Sequence, residues 1–380
     1  MLHPAIGRVL ASRGFTSADE VKLFMNPLLS GMLDPMLMAG MEAAVRRLAA
    51  ARENQERVCI YGDYDVDGVT ATALMVSGLS MLGLDTGYHI PNRMEDGYGL
   101  NGTALLDISR QGYRLCVSVD CGVTAIAEAE SCRAAGLDLI ITDHHQPLEP
   151  LPDCTAVINP HRPDCPYPFK GLSGVGVAFS LLVALRAWLK DNSSIEASSA
   201  DLRRLLDLVA LGTVADMVPL TGQNRILVSA GLQRMGEDSR TGVEALKKVS
   251  GVSGQVSSGQ VGFRLAPRLN AAGRLESAVP GVELLLTSDP SVAATLASEL
   301  DAANAERQGV ERLIFEDAAR IVEQSGGADA RYSILLASPD WHPGVVGIVA
   351  SRLVERYHRP TILIAIDGDG NGKGSGRSIP

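Results

Sequence analysis

From about residue 40 onward, short continuous apolar runs alternate with stretches of helical periodicity, and few folds accept that order. Arg57 to Tyr61, Thr86 to Ile90, Arg114 to Val119 and Leu137 to Thr142 read as strands. Met41 to Arg52, Thr70 to Leu82, Asn101 to Arg110 and Thr124 to Ala135 read as helices. The strands are apolar along their length rather than alternating, as in a parallel sheet covered on both faces. Strand, helix, strand in sequence means βαβ units. The expected fold is therefore α/β, with a doubly wound, mostly parallel sheet. Sites in such sheets lie beyond the carboxyl ends of the strands.

Three of these strand ends carry charged or ligating groups. The first runs Val58-Cys59-Ile60-Tyr61-Gly62-Asp63-Tyr64-Asp65-Val66-Asp67-Gly68. In an extended segment alternate residues point to one side, so Asp63, Asp65 and Asp67 are expected to crowd one small volume at the mouth of the sheet. Carboxylates that close repel one another, and cations relieve the repulsion. Oxygen donors suit Mg²⁺ or Mn²⁺. The second strand ends at Asp120-Cys121-Gly122 and the third at Asp143-His144-His145. Imidazole suits Mn²⁺ as carboxylate does, and a neighbouring acid can orient a ligating histidine. Asp216, in Gly212-Thr213-Val214-Ala215-Asp216, reads by itself as an ordinary helix-end aspartate.

Beyond His145 comes a proline-rich loop, then helices at Val175 to Lys190 and Leu202 to Leu211, with residues 191–199 as a solvated turn. Ser250 to Ser258 reads as a Gly/Ser-rich surface loop. Ser291 to Gln324 is one long helical pattern suited to bridging two units. A smaller α/β unit follows, with strands at Tyr332 to Ala337 and Thr361 to Ile366 around a helix at Gly344 to Tyr357. The expected division is an N-terminal segment (1–40), a catalytic domain (41–230), a connecting region (231–290), an interdomain helix (291–325) and a smaller, incomplete domain (326–380). The sequence stops at Pro380, two residues after Gly374-Ser375-Gly376-Arg377-Ser378, where a domain would not normally stop, so a longer protein is expected.

Composition narrows the functional classes. At 380 residues and 46% hydrophobic, the chain has material for about two or three domains and is not largely disordered. A net charge of -10 argues against binding nucleic acid by overall field, though not against a local basic groove. Aromatics at 4% leave little for a wide stacking surface. No apolar run reaches the ~18 residues of a membrane span, and the opening Met1-Leu2-His3-Pro4 is no signal peptide. Six cysteines without a CxxC pair read as reduced thiols of a cytoplasmic protein. No GxGxxG follows the first strand, which disfavours a dinucleotide-binding dehydrogenase.

The four motifs Tyr61-Gly62-Asp63-Tyr64-Asp65-Val66-Asp67-Gly68, Asp120-Cys121-Gly122, Asp143-His144-His145 and Gly212-Thr213-Val214-Ala215-Asp216 resemble, in order and rough spacing, those of the DHH phosphoesterases. Pro91-Asn92-Arg93-Met94-Glu95-Asp96-Gly97-Tyr98-Gly99-Leu100, Arg268-Leu269-Asn270-Ala271-Ala272-Gly273-Arg274, Trp341-His342-Pro343-Gly344-Val345-Val346-Gly347 and Gly374-Ser375-Gly376-Arg377-Ser378 extend the resemblance over nearly the whole chain. They make it most similar to the RecJ single-strand-specific exonucleases. Other branches carry Gly-Gly-Gly-His near the C-terminus where this chain has Gly-Ser-Gly-Arg.

The resemblance implies a smaller DHH-associated domain after the long helix, and two ions, Mn²⁺ or Mg²⁺. Asp63, Asp65 and Asp120 would hold one; Asp67, Asp120, His144 and Asp216 would hold the other, with Asp120 bridging. Asp143 would stand behind the ligands and His145 would face the substrate phosphate, the two forming the catalytic pair. Two metals ~3.5–4 Å apart suit in-line phosphodiester hydrolysis without a covalent intermediate. Arg93, Ser375 and Arg377 would recognise a 5′ phosphate, and Asn270 and Arg274 would contact the strand. On the residues alone, Arg93 is an exposed loop arginine and Asn270 and Arg274 a polar turn. Tyr98 reads equally as a base-stacking or a packed tyrosine, and His342 as a phosphate-facing helix start or a structural turn.

The family further implies single-stranded DNA as substrate, a role in DNA repair and recombination, a monomer, and single-strand-binding protein and a helicase as partners. The competing expectations are a nanoRNase or pyrophosphatase-like member of the same superfamily, and a catalytically silent DNA-binding scaffold. The second is disfavoured because every ligand position is filled.

Overall fold

The computed structural model describes residues 3–92, 97, 99–192, 199–327 and 331–379. Two short helices, α1 (Pro4–Ser12) and α2 (Ala18–Met25), lead into α3 (Met41–Glu53). The order is then β1 (Arg57–Tyr61), α4 (Val66–Met81), β2 (Asp85–His89), α5 (Gly102–Arg110), β3 (Leu115–Val119), α6 (Ile126–Ala134), β4 (Asp138–Thr142) and β5 (Ala156–Ile158). The five strands form one all-parallel sheet in the order β2-β1-β3-β4-β5. The expected α/β, doubly wound parallel sheet is what the chain builds.

Alternate residues of β1, β3 and β4 enter separate cores. Val58 and Ile60 of β1, Val117 of β3 and Ile140 of β4 join a large core with α3, α4 and α7 (Gly174–Asn192). Cys59, Tyr61, Cys116 and Ile141 join a second core under α5 and α6. Both faces being buried is why these strands are apolar throughout. β5 lies inside the stretch read as a proline-rich loop; at three residues it is too short to show a pattern.

Helices α8 (Leu206–Ala215), α9 (Gly222–Glu237), α10 (Thr241–Val249), α11 (Ala266–Leu275) and α12 (Val279–Leu286) complete the large core. α13 (Pro290–Gln324) starts with Asp289 accepting from the Ser291 and Val292 amides. Its Ala293, Ala297 and Leu300 belong to the large core. Its Ile314, Ala318 and Val322 belong to a third core with β6 (Ile334–Ser338), α14 (Val346–Tyr357) and β7 (Thr361–Ile366). β6 and β7 are parallel, and β8 (Gly372–Arg377) pairs antiparallel with β7. Gly374 to Arg377 is therefore strand; its glycines hide the pattern by which a strand is recognised. Among the described residues no helix is long and apolar enough to cross a membrane. All six cysteines are free, and all but Cys154 are buried.

Candidate metal centre

The residues expected to ligate do converge, by a route that differs in one respect from the expectation. Asp63, Asp65 and Asp67 are not on one extended segment. The chain turns from strand to helix inside the motif: Asp65 is the N-cap of α4, its Oδ1 accepting from the Gly68 amide at 3.0 Å. Asp67 already lies in the first helical turn. Helical spacing turns it away from its two neighbours, so the three carboxylates serve two places. Ligand atoms of Asp63, Asp65 and Asp120 lie within 4.8 Å of one another; those of Asp67, His144 and Asp216 form a second such group, and those of Asp120, His144 and His145 a third.

Each side chain is fixed by its own local structure. Asp120 sits beyond β3 at φ 62°, a left-handed backbone uncommon outside glycine, and its amide donates to the Thr142 carbonyl at 2.9 Å. Asp143, beyond β4, is buried with its oxygens fully engaged. Oδ2 accepts from the Val123 amide at 2.9 Å; Oδ1 accepts from the His144 and His145 amides at 2.7 and 3.1 Å, and lies 2.7 Å from His145 Nδ1. It thus shapes the loop bearing both histidines. Asn159 Nδ2 donates to the His145 carbonyl at 2.8 Å. Asp216 is the C-cap of α8.

Asp67 is held by residues that the sequence reading did not single out. The Gly174 amide donates to its Oδ2 at 2.6 Å and the Val175 amide to its Oδ1 at 2.9 Å, so the N-terminus of α7 clasps the carboxylate. Gly174 is also where α7 approaches Asp120: a Cβ there would fall 2.4 Å from Asp120 Oδ1. The signal was present as the glycine-spaced Leu172-Ser173-Gly174-Val175-Gly176 ahead of an apolar helix, but glycine spacing alone does not say what it approaches.

The electrostatics of the centre follow from burial and crowding of its carboxylates. Burial pushes the Asp67 carboxyl well above its ordinary value, and the charges of Asp216 and Asp65 add to this. Burial, then Asp67 and Asp65, do the same to Asp120. Asp216 is pushed up to about 7, by burial and then by Asp65. Burial and the neighbouring His145 lower His144 to about 4, so its imidazole is neutral and its nitrogen free to ligate. His145 is raised by its hydrogen bond to Asp143. Burial pushes Asp143 up, but its bonds to His145 outweigh that and hold it below the usual range.

The buried His144 Nε2 lies 3.1 Å from Asp120 Oδ1, 3.6 Å from Asp216 Oδ2 and 4.0 Å from Asp67 Oδ2. Nε2 of His144, Oδ1 of Asp120 and Oδ2 of Asp216 make no hydrogen bond among the described residues. Buried polar atoms are almost always paired. A hard-to-borderline cation bound by oxygen and imidazole satisfies all three, so the donor set fits Mn²⁺ or Mg²⁺.

The remaining candidate residues lie around this centre. Asn270 and Arg274 line a cavity of about 590 Å³ beside Asp216, with Ala215 and Met217 on its wall. The Arg274 carbonyl would be 2.1 Å from a Cβ on Gly344, so the 341–345 loop seats directly on α11. His342 accepts from the Gly344 amide through Nδ1 at 3.1 Å, which closes a turn in that loop. Ser375 and Arg377 lie on β8. Arg377 Nη1 donates to Ser375 Oγ at 2.9 Å, and both side chains lie over Gly347 in the first turn of α14, within 3.0 and 3.3 Å of where its Cβ would be. Arg93 and Tyr98 lie outside the described residues.

Comparison with known proteins agrees with this geometry. Residues 57–213 match the family described as "DHH family, N-terminal domain". The chain is 44% identical over its whole length to the "Single-stranded-DNA-specific exonuclease RecJ" of Bacillus subtilis (strain 168), of which it spans 47%. It is 44% identical, again over its whole length, to the protein of that name from Salmonella typhimurium, of which it spans 66%. It also superposes on a crystal structure of "exonuclease RecJ bound to manganese" with a TM-score of 0.78 and 37% identity, over 90% of this chain and 83% of that one.

Proposed function

Because the chain belongs to the RecJ branch of the DHH phosphoesterase family, we propose that it is the metal-bearing part of a single-strand-specific exodeoxyribonuclease that cuts from the 5′ end and releases mononucleotides. The observation that supports this most directly is the set of buried donors without partners, shared through Asp120 between two groups of ligands. Asp63, Asp65 and Asp120 hold one ion; Asp67, Asp120, His144 and Asp216 hold the other. When bound, such ions lower the pKa of a water and neutralise charge on the phosphate.

The residues of the chain supply the rest. The α7 amides fix Asp67, and Gly174 leaves room for Asp120 beside it. Asp143 holds His145 through Nδ1 and orients its half-exposed ring, which faces the substrate phosphate. Ser375 and Arg377 meet the first turn of α14, where a hydroxyl, a guanidinium and helix amides offer a terminal phosphate its hydrogen bonds. With Arg93, they read the 5′ phosphate and set direction. Asn270 and Arg274 contact the strand between the two ends.

Single-strand-binding protein and a helicase, which expose and deliver such strands, are the fitting partners. The fitting roles are repair and recombination, carried out by a monomer in the cytoplasm. The test is Mn²⁺-dependent digestion of a 5′-phosphorylated single strand labelled at either end. Mononucleotides released from the 5′ end by the wild type and not by Asp120→Ala support the reading. Intact DNA alongside cleaved short oligoribonucleotides would replace it with a nanoRNase.

A further inference from the structure

A series of close backbone contacts runs from the metal-ligand loop to the smaller α/β unit. Tyr64 lies between the candidate ligands Asp63 and Asp65, and its carbonyl oxygen would be 2.4 Å from a Cβ on Gly273 of α11. The next residue, Arg274, has its carbonyl oxygen 2.1 Å from where Gly344 would carry a Cβ. Gly344 leads into α14, which begins at Val346, and Ser375 and Arg377 lie over Gly347 in its first turn. Neither Gly273 nor Gly344 is among the glycines with positive φ, so the backbone conformation at both would accept a side chain. Space is what excludes one. Both glycines are buried, and at each the nearest obstacle is main chain, which cannot swing aside as the end of a side chain does. Leu275, the residue after Arg274, packs on the core that contains Trp341 and Val345, which seats α11 on the same loop from a second point.

We propose that Gly273 and Gly344 are positioning residues that together fix the span between the metal centre and the Ser375–Arg377 pair, and with it the number of nucleotides removed at each cut. This rests on the exonuclease reading above and adds what sets its register. The contacts act in series: ligand loop on α11, α11 on the 341–345 loop, and that loop on the helix turn beneath Ser375 and Arg377. A side chain at either contact could change rotamer and let the span vary; carbonyl packed against Cα has no such freedom. A strand gripped by its terminal phosphate and cut at the metal centre must match that span, because a misplacement of ~1 Å at a reacting group costs as much as ~100-fold in rate. A fixed span therefore selects the phosphodiester one nucleoside away from the terminal phosphate. Close helix packing by itself would also exclude a side chain, but it would not make cutting depend on the distance between two phosphates. Restoring an ordinary 3.4 Å contact to a Cβ placed 2.1 Å from the Arg274 oxygen moves the loop off α11 by about 1.3 Å. One added methylene extends a linker by about that much, given a C–C bond of ~1.5 Å.

The test is the first cut, read as kcat/KM in Mn²⁺, of oligo-dT whose 5′-terminal nucleoside is replaced by ethanediol, propanediol or butanediol carrying the 5′ phosphate. Propanediol has as many carbons as the C5′–C4′–C3′ path that it replaces. Wild type should cut the propanediol strand at least ~10-fold faster than the ethanediol strand, whose phosphates stand too close together. Gly344→Ala should move the optimum to the butanediol strand. Gly309→Ala, where a Cβ meets nothing within 4 Å, should keep the wild-type order. Wild type that cuts all of these strands alike overturns the inference, even if Gly344→Ala fails to fold. Gly344→Ala that folds and keeps propanediol as its optimum also overturns it and makes Gly344 a packing glycine. Wild type that cuts neither these strands nor unmodified 5′-phosphorylated oligo-dT removes the exonuclease reading and the fixed span with it.

Discussion

Replacing Gly174 by alanine should disable the metal centre while leaving the fold standing. In open space a glycine-to-alanine change in a helix stabilises by ~0.5–1 kcal/mol. Here the added Cβ falls 2.4 Å from Asp120 Oδ1 and 2.7 Å from Asp120 Cβ and Cγ. Relief to ordinary contact needs a shift of about 1 Å, and overpacking of this kind costs ~1–3 kcal/mol. The two effects partly cancel, so the net loss is ~0–2.5 kcal/mol and Tm should fall by no more than roughly 10 °C. The ligand geometry is less forgiving. Asp120 belongs to two of the three candidate ligand groups. Disturbing the residues that orient a ligand typically weakens metal binding ~10–100-fold. Mn²⁺ titration calorimetry on folded Gly174→Ala, with circular dichroism as the control, reads both quantities. A variant that binds Mn²⁺ as tightly as wild type would refute the claim that Gly174 makes room for Asp120.

Other outcomes follow from the same structure. Asp67, Asp120 and Asp216 all have raised carboxyls, Asp216 up to about 7. A raised carboxyl takes up a proton as pH falls through its value, and ions must then displace it. Mn²⁺ affinity should therefore drop at least ~10-fold between pH 8 and pH 6, with protons released on binding; a pH-independent affinity would contradict this. Buried Asp207 accepts from Arg240 Nε at 2.7 Å and Nη2 at 2.9 Å, tying α8 to the start of α10. Asp207→Ala should lose ~3–5 kcal/mol in denaturant unfolding, because it strands a largely buried guanidinium; a loss under ~1 kcal/mol would show the pair to be dispensable. Arg377→Ala should reduce the ratio of kcat/KM for 5′-phosphorylated over 5′-hydroxyl strands by ~10–100-fold, as loss of a charge-assisted bond does; an unchanged ratio would place 5′ recognition elsewhere.

What was legible depended on periodicity and on chemistry that concentrates in short motifs. β1 and β7 fall at the bounds expected, because continuous apolar runs ending in charged or turn residues have few other readings. Asp216, at a helix end, joined the ligands only through the family resemblance, but the gathering of Asp63, Asp65, Asp120 and His144 was legible because βαβ topology sends successive strand ends to one edge. The place of Asp67 was not: an N-cap aspartate and an extended aspartate look alike until the helix start is known, and Asp65 starts α4 four residues earlier than periodicity showed. β5 and β8 escaped for lack of length or side chains. Gly174 owes its meaning to what lies across space from it, which no local pattern encodes.

The central claim is that one bridging aspartate joins two metal ions. Crystals soaked in Mn²⁺ and measured at the manganese absorption edge test it most directly. The account predicts two anomalous peaks per chain, one among Asp63, Asp65 and Asp120 and the other among Asp67, Asp120, His144 and Asp216. A single peak, or peaks away from Asp120, would contradict it.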